Sequence, residues 1–173
     1  ATQIVRKAGD GDSAAENVNA MAGTADMVVS LDRLEAMVPA VKSASLVVSW
    51  FGDDLRAGSC TIRPKVEMAQ KNTTTPAWSV NGVSRGDALV VSQDDQGRPI
   101  YGGTPADFSV LQAIREMKAR GLKVTFYPFL MMDVPAGNTL PDPWSDYAAT
   151  IGQPVLCGAA GSPAHLRPVS PGP

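Results

Sequence analysis

Three aspartates stand where apolar runs stop. Asp53 and Asp54 follow the run at residues 45–51 and its Gly52, and Asp133 closes a second run at residues 122–132. Apolar, β-branched stretches that end abruptly in an acid read as buried strands delivering carboxylates to a sheet edge. Parallel-sheet domains keep their chemistry at such edges. If the two strands are parallel neighbours, their acids share one end of the sheet. Two carboxyls flanking a sugar are what glycosidic cleavage requires, at roughly 5 Å for retention and up to about 9.5 Å for inversion. Asp53 and Asp54 cannot be that pair by themselves, because successive side chains of an extended chain point to opposite sides. Trp50, Tyr127 and Trp144 offer aromatic platforms for sugar rings, and Arg56 offers a fork for a carboxylate or phosphate.

Each of these residues also has an ordinary structural use. An acid just after a strand often caps a helix or accepts loop amides. Arg56 and Arg63 can order a loop through local ion pairs, and Trp50 and Phe51 suit a core.

The elements that must position the acids are legible in outline. Leu31, Leu34, Met37 and Val38 recur at helical spacing, and Pro39 ends that helix. The strand at 45–51 follows, then a long irregular excursion over residues 52–83 with Trp78 as an anchor. Residues 87–92 read as a further strand. Thr104 is a candidate N-cap, Pro105 a first helical residue, and Asp107 suits the positive end of the helix dipole. Val110, Leu111, Ile114 and Met117 form one apolar face, and Gly121 closes the helix before the strand at 122–133. Strand, helix and strand in this order predict a βαβ unit with parallel pairing and right-handed crossover, hence an α/β fold.

Composition excludes several classes. Hydrophobic residues make up 44% of the 173, charged residues 18%, and net charge is −2, so a core is expected and nucleic-acid binding has little support. Cys60 and Cys157 are far apart and are expected to be reduced or structurally incidental. His165 is the only histidine, so no metal site is expected. No apolar run approaches the roughly 20 residues of a membrane span, and no signal-peptide core opens the chain. No glycine-rich phosphate loop follows a strand, and no cofactor is expected.

Several short words occur together: residues 45–56 (SLVVSWFGDDLR), 62–64 (IRP), 78–80 (WSV), 101–105 (YGGTP), 119–122 (ARGL), 126–129 (FYPF) and 140–143 (LPDP). In this order they resemble the TIM-barrel-like, glycoside hydrolase-like domain of tail, baseplate or host-specificity proteins of alphaproteobacterial gene transfer agents and related phages. The resemblance covers roughly residues 25–155. It implies a partial TIM-barrel-like domain over 26–155, holding only the opening strands, after a loosely ordered lead-in over 1–25. The irregular tail at 156–173 departs from the family and is expected to be truncated or frameshifted. The implied role is a structural or interaction module in a tail particle, made in the cytoplasm, contacting other baseplate proteins or a host-surface glycan. The alternative it implies is a hydrolase on envelope polysaccharide, with Asp53, Asp54 or Asp133 as acids and this portion inactive alone. A few strands of an unclosed barrel leave an exposed sheet edge, so marginal stability or self-association is also expected.

Overall fold

The computed structural model describes residues 1–9, 11–74, 76–135, 138–141 and 155–156. Its elements in chain order are β1 (Val5–Gly9), β2 (Asp12–Ala15), α1 (Asp26–Met37), β3 (Ser43–Gly52), β4 (Ile62–Arg63), β5 (Lys65–Val66), β6 (Ser79–Val80), β7 (Val83–Ser84), β8 (Leu89–Val90), α2 (Asp107–Ala119), β9 (Lys123–Met132) and β10 (Val155–Leu156).

The β3 and β9 strands run parallel over their whole length, from Ser43 opposite Lys123 to Gly52 opposite Met132. They are the centre of a four-stranded sheet ordered β10-β9-β3-β4, whose outer strands are short and antiparallel to their neighbours. The fold is therefore mixed α/β with several small sheets, and no sheet closes into a barrel among the described residues.

Register fixes which backbone groups face which way. The amide of Lys123 donates to the Lys42 carbonyl at 2.8 Å, and that of Asp133 to the Gly52 carbonyl at 2.9 Å. With a period of two, even-numbered residues of β3 and odd-numbered residues of β9 bond each other. Pro128 in mid-β9 is even-numbered, so its missing N–H falls on the outer edge and costs the ladder nothing.

Side chains alternate likewise. Ala44, Leu46 and Val124 share one sheet face and pack on Leu31 of α1, Met117 of α2 and Leu122, with Met27, Leu34 and Val41 around them. Arg120, just past α2, ties the helices together through Asp32 and Glu35 of α1 and Glu116 of its own helix. Those three carboxylates, led by Asp32, hold its guanidinium even more firmly protonated than usual.

Three expectations are corrected. The strand at 87–92 shrinks to Leu89–Val90, which pairs in parallel with Lys65–Val66 in a separate two-stranded sheet. The parallel partner of β9 is thus β3, with α2 inside a long connection. Thr104 does not cap α2: the helix begins at Asp107 after Ala106, with no side-chain cap. The Thr104 hydroxyl accepts the Lys65 amide instead, because the antiparallel bridge of Val66 with Gly103 sets Thr104 opposite Lys65. Leu111 and Met37, expected on apolar faces, are exposed, while Ala113 and Met117 carry the contact of α2. Within the stretch expected as a lead-in, β1 and β2 form an antiparallel hairpin. Its partner is the 72–74 segment: Lys7 donates to the Asn72 carbonyl and Thr74 to that of Val5.

Candidate functional site

The acids do arrive at one end of the β3–β9 pair. Gly52 lies opposite Met132, so Asp53 and Asp133 are the next residues along two neighbouring parallel strands. A Cβ on Gly52 would lie 2.7 Å from the Cys60 sulfur and 2.9 Å from that of Met132, so those side chains would have to shift to admit one.

Asp133 is 2% exposed and is held from three sides. Its amide extends the ladder to Gly52, its carboxylate takes the Lys65 ammonium at 2.9 Å, and the Ser92 amide donates to it at 3.0 Å. Lys65 is itself buried on β5, and its backbone exchanges bonds with Thr104. A buried charge needs such pairing, because an isolated ion in a low-dielectric interior is very costly.

Tyr101 completes the cluster. Its ring meets Phe51 at a centroid distance of 5.5 Å, and its hydroxyl is buried with no hydrogen-bond partner among the described residues. Burial, and then the negative charge of Asp133, push its phenol up to about 12.

Asp53 and Asp54 turn elsewhere. Asp53 accepts the Thr61 amide at 2.7 Å. Asp54 is buried and accepts the Arg56 amide at 2.8 Å and its guanidinium at 2.6 and 3.0 Å. Arg56 therefore closes back on Asp54 as a local clip, holding that carboxyl below the usual carboxylate range. The ligand-gripping use of Arg56 is already filled by its own neighbour.

The aromatic candidates do not form a common platform. Trp50 stands in register with Leu130, while Tyr127 stands opposite Val47. By the alternation of side chains these two rings lie on opposite sheet faces. Tyr127 is half-exposed and its ring sits 6.0 Å from that of Phe129. Trp144 lies outside the described residues. Trp78 is an anchor: its indole N–H donates to the Thr104 carbonyl, and the Arg85 guanidinium lies 5.6 Å over its ring.

Lys65, Ser92 and Tyr101 were not singled out from the sequence. Lys65 sits in an aperiodic stretch, and its sole signal is a lysine between Pro64 and the wholly buried Val66.

A second feature lies beside the outer edge of β3. A cavity of about 410 Å³ is bounded by the N-terminal segment, β3, α2 and the Trp78 region. Its charged wall is a chain of ion pairs: Glu16 with Lys71, Lys71 with Glu67, and Glu67 with Arg85. Burial pushes Glu67 up, but Lys71 and Arg85 outweigh that and hold its carboxyl below the usual range. Phe108, Ala113 and Leu46 supply an apolar wall.

Among the described residues, no three His, Cys, Asp or Glu side chains are placed to hold a metal ion, and no helix is long and apolar enough to cross a membrane. Compared with protein-family models and with curated proteins, the chain matches neither.

Proposed function

We propose that this chain is a structural and interaction module of a phage tail or gene transfer agent baseplate protein, serving particle assembly or contact with the host envelope. In this reading it is the opening part of a TIM-barrel-like domain, with β3 and β9 as neighbouring barrel strands. The word-by-word resemblance over residues 25–155 supports the family. The observation that carries the non-catalytic role is the fate of the acids. Asp53 is bound to a loop amide, Asp54 is clipped by Arg56, and Asp133 is neutralised by Lys65. A general acid for glycoside cleavage needs a carboxyl with a raised pKa facing an open cleft. Asp54 is held in the opposite direction.

A second reading is a glycoside hydrolase-like domain acting on cell-surface or cell-wall polysaccharide. One observation favours it: Asp53 and Asp133 follow register-paired residues at the same end of two parallel strands.

The test is to incubate the purified chain with alphaproteobacterial cell envelopes and with isolated tail particles, measuring cosedimentation and released reducing sugar. The module reading expects saturable cosedimentation with envelopes or particles and no sugar release. Absence of cosedimentation with both overturns it. Sugar release abolished by Asp133→Asn or Asp53→Asn replaces it with the hydrolase reading.

A further inference from the structure

The charged wall of the cavity has its acceptors engaged and a donor pair left over. The charged side chains in the lining are Glu16, Glu67, Lys71 and Arg85. Each carboxylate oxygen of the two acids already meets a cation. Glu67 meets Lys71 on Oε1 at 2.5 Å and Arg85 on Oε2 at 3.0 Å. Glu16 meets Lys71 on Oε2 at 2.6 Å and, on Oε1 at 3.4 Å, Arg6 from outside the lining. Three cations therefore share two carboxylates, and one positive charge of the network stays unmatched.

The surplus falls on Arg85. Its Nη1 makes both of its hydrogen bonds, to Glu67 and to the Met68 carbonyl, each at 3.0 Å. Its Nε and Nη2 have no hydrogen-bond partner among the described residues, although the side chain is only 16% exposed. The guanidinium is held over Trp78, whose own N–H is fixed on the Thr104 carbonyl. Nε and Nη2 form the side-on fork of an arginine, which fits the two oxygens of a carboxylate. Arg56 uses these same two nitrogens to grip Asp54, at 3.0 and 2.6 Å.

The lining also has an apolar part, made by Met27, Leu46, Phe108 and Ala113. Phe108 is half-buried and stands outside the cluster of Leu31, Met117 and Leu122, so its ring is not taken up by that core. The volume of about 410 Å³ lies within the range of small-molecule sites, roughly 300–1,000 Å³.

We infer that this cavity binds a small monocarboxylate with an apolar body. Its carboxylate sits on the Nε and Nη2 fork of Arg85, and its body lies against Leu46, Phe108 and Ala113. One negative charge matches the one surplus cation. A neutral guest leaves the fork without an acceptor, a cationic guest adds to the surplus, and a phosphate dianion reverses it. The inference rests on this cavity and does not depend on the tail-protein reading.

The test titrates the full chain calorimetrically with octanoate, and with 1-octanol and octylamine as probes of equal chain length. Saturable one-to-one binding of octanoate is expected. Octanol is expected to bind about tenfold more weakly or worse, the weight of a hydrogen bond to a charged group, and octylamine more weakly still. Shortening the acid is expected to weaken it about fourfold for each methylene removed. Arg85→Lys keeps the charge but lacks the fork, so it is expected to weaken octanoate about tenfold and to leave octanol unchanged. Absence of octanoate binding, or uptake that does not saturate, overturns the proposal. Octanol or octylamine binding as tightly as octanoate also overturns it, because the charge then selects nothing. Octanoate binding unchanged in a folded Arg85→Lys overturns it by placing the carboxylate elsewhere. The ligand series decides the question even if the variant fails to fold.

Discussion

The Lys65 ammonium and the Asp133 carboxylate lie 2.9 Å apart, with the two side chains 8% and 2% exposed. This pair pins the separate β5–β8 sheet to the end of β9, and the Ser92 amide just after β8 bonds the same carboxylate. It is therefore a joint between two sheets that share no ladder. Removing one partner leaves the other buried and uncompensated. Lys65→Met alone and Asp133→Leu alone are each expected to cost about 3–5 kcal/mol in urea unfolding. The double variant is expected to cost less than the sum by a kcal/mol or more, roughly the coupling of residues in direct contact. Additive losses would show that the pair contributes no specific coupling.

The Gly103 position is the second joint. Its φ is +82°, and a Cβ there would lie 2.8 Å from the Lys65 carbonyl oxygen, an atom of the backbone that cannot swing away. Gly97 has a similar φ of +74° but nothing within 4 Å of its would-be Cβ. Gly97→Ala thus pays only the left-handed backbone penalty of about 1 kcal/mol. Gly103→Ala is expected to cost clearly more and to loosen the bond from Thr104 to the Lys65 carbonyl. Equal melting-temperature losses for the two variants would refute the close approach.

How much of this was legible in the sequence follows from how local each signal was. The β3 and β9 strands were readable because a run of apolar residues between breakers is a local pattern, and α2 because Val110, Leu111, Ile114 and Met117 recur at helical spacing before the closing Gly121. The pairing of β9 with β3 followed from no local pattern, since β8 is nearer in sequence and also apolar. What decides it is length: β3 and β9 match over ten residues each, whereas β8 has two. At the site, Asp133 could be found because it ends a strand. Lys65 and Tyr101 could not, because their partners are 68 and 32 positions away in chain order and nothing in either segment is periodic. Thr104 had the residue type of a cap, but the nearby Lys65 amide competed for its hydroxyl and won.

The Arg120 guanidinium is expected to matter through geometry as well as charge. It bonds Glu116 through Nε and Nη2 and reaches Asp32 and Glu35 through Nη1. A lysine carries its three donors on one nitrogen and cannot reproduce the spread of Nε, Nη1 and Nη2 across carboxylates on two helices. Arg120→Lys is therefore expected to recover less than half of the stability lost in Arg120→Ala. The loss itself is about 1 kcal/mol, because Asp32 is largely and Glu35 partly exposed. Raising salt should shrink the difference between wild type and Arg120→Ala, measured by chemical denaturation. Full rescue by lysine would reduce the cluster to a point-charge effect.

The Tyr101 hydroxyl makes stability depend on alkaline pH. In the unfolded chain its phenol titrates near its ordinary value of 10, and in the folded protein near about 12. Below pH 10 both states hold the proton, and this contribution to stability is complete. Between pH 10 and 12 the unfolded chain releases the proton while the folded one keeps it, so stability falls as pH rises. Tyr101→Phe removes the group and is expected to flatten that part of the decline. At neutral pH the same substitution deletes a buried hydroxyl with no partner among the described residues, so it should leave stability unchanged or raise it by about 1 kcal/mol. Urea unfolding of wild type and Tyr101→Phe at pH 7 and across pH 10–12 measures both effects. A phenylalanine variant that is less stable at neutral pH would mean the hydroxyl has a bonded partner, such as an ordered water beside Asp133.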